Sequence, residues 1–278
     1  SRRYLGDTFD IHGGGEDQVF PHHENEAAQS EAATGKPFAR YWLHNGFVKI
    51  NAEKMSKSLG NTFSIRDMIS RYHPEVLRLF MLQSHYRSPV DFSEDSLKEA
   101  RAALIRGYTA LQALKEAKKQ AGNQDVGGQR ESGSDEAGRW DEFVSKFDMA
   151  LDDDFNTAQA LGYVFEAARQ ANQIAAAGKK MPDAALRAQL DIAADAFVHF
   201  GNVLGVFQSD PDEFFMADRS IEAGKSGLDV SWVEMMIAKR QKARDDKDWT
   251  LADDIRKELA DKNIMLKDSA GRTVWSVD

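Results

Sequence analysis

Between Phe20 and Glu26 the sequence reads FPHHENE, two imidazoles and two carboxylates crowded into five positions. Pro21 suits the first turn of a helix, where its missing N–H would lack a partner anyway. On a helix starting there, four residues turn the chain by about 400°, so His22 and Glu26 share a face while His23 points elsewhere. An imidazole and a carboxylate so placed can clamp a divalent cation, and the nitrogen donor favours Zn²⁺. Two ligands do not complete a tetrahedral site, and the chain has no cysteine to add. The remaining donors would come from chain upstream of Ser1 or from substrate. A solvated acidic helix start is the alternative reading of the same residues.

Two further clusters flank the first. In DIHGGGED (10–17) three glycines at a strand's end would let backbone approach a ligand closely, and Asp17 could accept hydrogen bonds from ribose hydroxyls. A tight turn with a capping aspartate is the plainer reading. In KMSKS (54–58), Lys54 and Lys57 stand three apart among serines, with Gly60 close behind. Such a flexible cationic loop could follow charge that builds up on a phosphate; a solvated lysine loop is the alternative.

The elements that must position these residues fall into blocks. Residues 1–72 alternate short strand candidates (Thr8–Ile11, Gly46–Ile50) with one helix, an α/β pattern. From 73 to 208 the helical period dominates. Leu97, Ala100, Leu104, Tyr108 and Leu111 make one stripe behind a Ser93 cap. Leu161, Val164, Phe165 and Ala168 make a second, and Leu186, Leu190, Ala193 and Phe197 a third. Residues 122–138 are glycine-rich and charged, the composition of a mobile loop, and 209–230 read as a linker. The tail after 228 reads helix (Trp232–Asp245), helix (Thr250–Lys262) and hairpin (Met265–Lys267, Thr273–Trp275) around Ala270–Gly271. The fold class expected is therefore α/β plus all-α, with a small helix–helix–hairpin domain at 228–278.

Composition narrows the classes of function. With 42% hydrophobic residues over 278 positions the chain can build ordinary cores. No apolar run reaches the roughly 20 residues that span a bilayer, so no membrane partner is expected. Zero cysteines exclude a disulfide framework and fit a reducing compartment, here read as cytoplasmic. A net charge of −9 argues against wholesale coating of nucleic acid, leaving only a local basic face for such contact. Five basic residues between Lys239 and Lys247 (with Arg240, Lys242 and Arg244) could form that face, or could be a salt-bridged helix surface. Trp249 and Trp275 could stack on unpaired bases or pin helix to hairpin, pinning being expected for Trp249.

Taken together, FDIHGGGEDQVFPHHENEAAQ (9–29) and KMSKSLGN (54–61) resemble the second half of the catalytic domain of class I aminoacyl-tRNA synthetases, specifically the cysteinyl-tRNA synthetases. The resemblance continues through HYRSPVDFSEDSL (85–97), ALDDDFNTAQAL (150–161) and ARDDKDWTLADDIRKEL (243–259). It implies the C-terminal part of a class I Rossmann catalytic domain at 1–72, a helical bundle at 73–208 and an anticodon-binding domain at 228–278. It also implies zinc held by His22 and Glu26 with two cysteines upstream of Ser1, where the family's HIGH signature would also lie. On that reading the chain alone would be inactive. The implied reaction joins L-cysteine to ATP, with Mg²⁺, as cysteinyl-adenylate, and passes the aminoacyl group to tRNA(Cys). By the resemblance Lys54 and Lys57 are catalytic, and Lys57, Gly15 and Asp17 bind ATP. His12 lines the substrate pocket, and backbone near Phe47 and Val48 meets adenine. Zinc would prefer a soft thiolate to a hydroxyl, a distinction that apolar contacts would make by only about 1–3 kcal/mol. A monomer is expected. The rivals are a cysteine ligase acting on an amino sugar, which the tail disfavours, and a non-catalytic RNA-binding module.

Overall fold

A computed structural model describes residues 1–50, 53–54, 64–121, 135–177, 183–269 and 272–277. After a short helix α1 (Arg2–Leu5), strand β1 (Phe9–Gly15) runs through all three glycines instead of ending before them. Gly13, Gly14 and Gly15 pair with Leu43, His44 and Asn45 of the parallel strand β2 (Ala39–Asn45). The glycine requirement is close approach and not a turn: a Cβ on Gly14 would stand 2.4 Å from Gln18 Oε1 and 2.5 Å from His23 Cε1. Between the strands lies α2 (Glu24–Thr34), ended by Gly35 in the left-handed conformation (φ 67°). Pro21 does not open this helix. Val19–His23 form a wide π-type turn broken by extended backbone at Phe20 (φ −136°, ψ 134°), and regular helix begins at Glu24.

The chain divides into two compact units, residues 1–63 with 75–208, and 64–74 with 209–278. Compactness thus groups the chain differently from the three segments expected from sequence, because α3 (Ile65–Arg71) packs on a helix of the tail.

In the first unit, β3 (Val48–Ile50) lies between β4 (Glu53–Lys54) and β5 (Val90–Phe92), antiparallel to one and parallel to the other. Helix α4 (Pro74–Leu82) precedes β5 and buries Val76, Leu79 and Phe80. Helices α5 (Glu94–Gln120), α6 (Asp135–Asp152), α7 (Thr157–Ala177) and α8 (Asp183–Leu204) form the bundle. Ser93 caps α5 by accepting from Ser96 N, as expected, and the predicted stripes face inward, with Leu111 and Phe165 only half-buried. The expected loop 122–138 is shorter at its far end, where α6 starts at Asp135; residues 122–134 lie outside those described. Glu75 is buried at the bundle's end, accepting from Tyr108 OH (2.9 Å), Phe207 N (2.6 Å) and Gln208 N (3.1 Å).

In the second unit, residues 209–230 are no linker. They hold α9 (Pro211–Lys225), capped by Asp210 with Pro211 at its first position, and Phe214 and Ala223 are buried. The Ser-, Asp- and Gly-rich composition of this stretch masks the helix start signal Asp210-Pro211. Helices α10 (Val230–Asp245) and α11 (Trp249–Ala260) and the hairpin β6 (Ile264–Ser269)–β7 (Arg272–Val277) follow the expected order. Their core joins Val233, Met236, Ile237, Ile255, Leu259, Ile264 and Trp275.

Candidate metal centre

Strand β1 and the start of α2 bring four donors together. His12 Nε2 lies 3.0 Å and His22 Nε2 3.8 Å from Glu26 Oε2. Single ligand atoms of His12, His23 and Glu26 all fall within 4.8 Å of one another. His22 and Glu26 do share a side one turn apart, despite the irregular start, but His22 is 61% exposed. His23 does not turn away as a regular helix would have it. The π-type turn swings it inward, where it is buried and its Nδ1 lies 2.9 Å from His44 Nε2.

Two features describe the electrostatics. Glu26 Oε2 is buried and has no hydrogen bond among the described residues, with His12 Nε2 its near neighbour at 3.0 Å. A buried carboxylate oxygen is costly when left without a partner; an imidazole nitrogen and a carboxylate oxygen converging this closely suit ligands of one cation. The His23 cation is disfavoured, first by burial and then by the neighbouring His12 and His44, so its pKa lies below the ordinary 6.5. A neutral imidazole is the form that can donate a lone pair.

An aromatic wall holds these groups in place. The His12 ring packs against His23 (4.6 Å between centroids), Trp42 (4.8 Å), Phe38 (5.2 Å) and Phe9 (5.7 Å). Trp42 and His44, two residues apart on β2, are the members that sequence reasoning missed. In register Trp42 lies opposite His12 and His44 opposite Gly14, so strand alternation beside DIHGGG was the available signal. Asp17 sits in a single 3₁₀ turn (Glu16–Gln18) after β1, and Gly15 N–H donates to Gln18 Oε1 at 3.2 Å. Phe47 C=O accepts from Val90 N at 2.8 Å. Lys54 enters through the backbone of β4, opposite Lys49, while Lys57 lies outside the described residues.

The tail corrects two further expectations. Of the basic stretch, Arg240 is buried, with its Nη1 3.4 Å from Thr273 Oγ1, so it does not belong to an outer cationic face; Lys239, Lys242 and Lys247 are exposed. The tryptophans exchange roles. Trp275 is 3% exposed and donates from Nε1 to Glu234 (2.8 Å), pinning hairpin to helix, whereas Trp249 is 61% exposed at the start of α11. A tryptophan within a strand is the better core candidate than one beside a helix cap, because the strand's inner face is covered by the helices.

Comparison with known proteins places this arrangement. Residues 1–102 match the family model described as tRNA synthetases class I (C) catalytic domain, 146–208 the DALR domain, and 233–275 the cysteinyl-tRNA ligase anticodon binding domain. The cysteine–tRNA ligase of Geobacter sulfurreducens is 50% identical over all of this chain and 56% of its own length. That of Stutzerimonas stutzeri is 47% identical over 98% of this chain and 52% of its own. The chain spans about half the length of such relatives. Among solved structures, Mycobacterium tuberculosis methionyl-tRNA synthetase with methionyl-adenylate matches 70% of this chain and 40% of its own (TM-score 0.53, 19% identity). The ternary LeuRS–tRNA–LeuAMS complex of Agrobacterium radiobacter matches 70% and 26% (TM-score 0.51, 16% identity), a likeness of fold. With three family matches in the expected order and similarity along its whole length, the chain belongs to the cysteine–tRNA ligase family of class I aminoacyl-tRNA synthetases.

Proposed function

We propose that this chain serves in ATP-dependent activation of L-cysteine as cysteinyl-adenylate and its transfer to tRNA(Cys). The observation that carries this reading is the converging donor set on the β1–α2–β2 unit, in which the buried Glu26 oxygen has no hydrogen bond among the described residues. The residues present fit a zinc ion. His22 and Glu26 would hold it, as expected from sequence, and His12 is placed to join them or to border the amino acid. A zinc ion there would supply a soft, Lewis-acidic partner for a thiolate.

The chain's own residues do the rest. His23, buried and held by His44, fixes the floor under His12. Phe38 and Trp42 keep water from the His12 face. Gly14, stripped of a Cβ, lets His23 and Gln18 close against the strand. Gly15 and Asp17 at the end of β1 are assigned to the ribose, and Lys54 and Lys57 to the charge growing on the ATP phosphates, which Mg²⁺ would accompany. Segments 1–72, 73–208 and 228–278 are assigned as the catalytic portion, bundle and anticodon-binding domain. In the last, exposed Trp249 offers a stacking face and Lys239, Lys242 and Lys247 offer phosphate contacts. Among the described residues no helix is long and apolar enough to cross a membrane. The test is cysteine-dependent pyrophosphate exchange and tRNA(Cys) charging by the full-length protein. Exchange without charging would favour a cysteine ligase with another acceptor, and tRNA binding without exchange an RNA-binding module.

A further inference from the structure

Helix α6 ends in an unusual way. Asp154 and Phe155 both adopt left-handed backbone (φ 55° each), where glycine is the usual residue. Phe155 N–H returns to Leu151 C=O (3.0 Å) and Asn156 N–H to Ala150 C=O (3.1 Å), closing the helix. Consecutive non-glycine residues in this region persist where their side chains are needed.

The Asp154 side chain reaches the loop between α4 and β5. Its Oδ2 accepts from Arg87 Nε at 2.6 Å, and its Oδ1 from Arg87 Nη2 at 3.1 Å and Tyr86 OH at 2.7 Å. His85 Nε2 is 3.8 Å away, and the Arg87 guanidinium also lies over the Tyr86 ring at 5.2 Å. Such two-pronged arginine–carboxylate pairing fixes direction as well as distance. The Arg87 and Tyr86 hydrogen bonds hold the carboxyl ionised, with a pKa of about 2.

That loop in turn grips the elbow between β2 and β3. Tyr86 C=O accepts from Gly46 N–H at 2.8 Å, and Val90 N–H donates to Phe47 C=O at 2.8 Å. The fit is tight: a Cβ on Gly46 would stand 2.4 Å from Ser88 C and O. On one side of the elbow is His44, which holds His23; on the other, β3 leads to β4 and Lys54. We propose that Asp154 is a positioning residue for adenylate formation, fixing through Tyr86 and Arg87 the elbow between β2, which carries His44, and the β3–β4 pair, which carries Lys54. This rests on the ligase reading above.

The test uses the full-length enzyme with Asp154→Asn and Asp154→Gly. Glycine relieves the left-handed backbone while removing the carboxylate, so a loss of activity in that variant is not a loss of fold. Both variants should lower kcat of cysteine-dependent pyrophosphate exchange about ten- to a hundredfold, as small misplacements do. KM for cysteine should change far less than kcat, since the pin reaches His12 only indirectly, through His44 and His23. Amide exchange at Gly46 and Val90 should accelerate. Wild-type kinetics in Asp154→Gly, or unaltered exchange at Gly46 and Val90, would overturn the proposal while leaving the ligase reading standing. Absence of cysteine-dependent exchange in the wild type would overturn both.

Discussion

Among residues 1–45 only His23 and Phe38 are buried, whereas α5 alone buries nine residues and α6–α8 bury Trp140, Phe147, Leu190 and Phe200 with almost no exposure. The two regions use their sequence in opposite ways. In the bundle, apolar residues three and four apart are largely consumed by packing, and part of the polar surface is ion-paired, as in Lys118–Asp191. In the β1–α2–β2 region the sequence supplies donors, glycines and aromatic faces that touch one another edge to face but close no core of their own. A region built that way gains little stability from its own side chains, so its residue types answer to what they bind.

Substitutions in the two regions should therefore fail differently. The largest loss of stability is expected in the bundle. Phe147→Ala should cost about 3–5 kcal/mol in urea unfolding, given its complete burial against Phe200, with zinc content unaffected in whatever fraction stays folded. In the site region, Glu26→Gln should leave the unfolding midpoint close to wild type while weakening zinc retention in the full-length protein by about 100-fold or more, read by titration against a chelator. A Glu26→Gln midpoint shifted as far as that of Phe147→Ala would erase the contrast. The tail offers a smaller version of the comparison between its two tryptophans. Trp249→Ala should weaken tRNA(Cys) binding by roughly 1–3 kcal/mol with stability unchanged, while Trp275→Ala should destabilise the unit, as filter binding and circular dichroism would report.

The smallest effect concerns acid. The folded Asp154 carboxyl has its pKa lowered from 3.8 to about 2, chiefly by the Arg87 and Tyr86 hydrogen bonds. Its contribution to stability is thus present above about pH 4 and is lost as pH falls toward 2. The guanidinium of Arg87 stays charged throughout that range. Thermal melts between pH 5 and 2.5 should show a steeper decline for wild type than for Asp154→Asn; parallel curves would remove the pin's electrostatic role.

Much of the architecture was legible in sequence because helical periodicity is a long-range, redundant signal. The stripes of α5, α7 and α8 and the Ser93 cap follow it, and so does the helix–helix–hairpin order of the tail. Three things were not legible. Helix α9 was hidden by a polar composition that outweighed its Asp210-Pro211 start. The inward orientation of His23 depended on the irregular π-type turn at Val19–His23, which the helical phase relating His22 to Glu26 did not reveal. Burial of Arg240 and Trp275 was set by tertiary packing of the hairpin, invisible to a count of charges. Of the candidate site, the motif spacing singled out His22 and Glu26 and the family resemblance His12, but neither pointed to Trp42 and His44, whose packing against His12 and His23 appears only once β1 and β2 are set in register.

The central claim is that the carboxylate oxygen of Glu26, buried and without a hydrogen bond among the described residues, belongs to a metal ligand. Metal analysis of the full-length protein purified without added zinc, wild type beside Glu26→Gln, tests it most directly. Zinc present in the wild type and absent from the folded variant is the predicted result. Equal zinc in the two proteins would contradict the account.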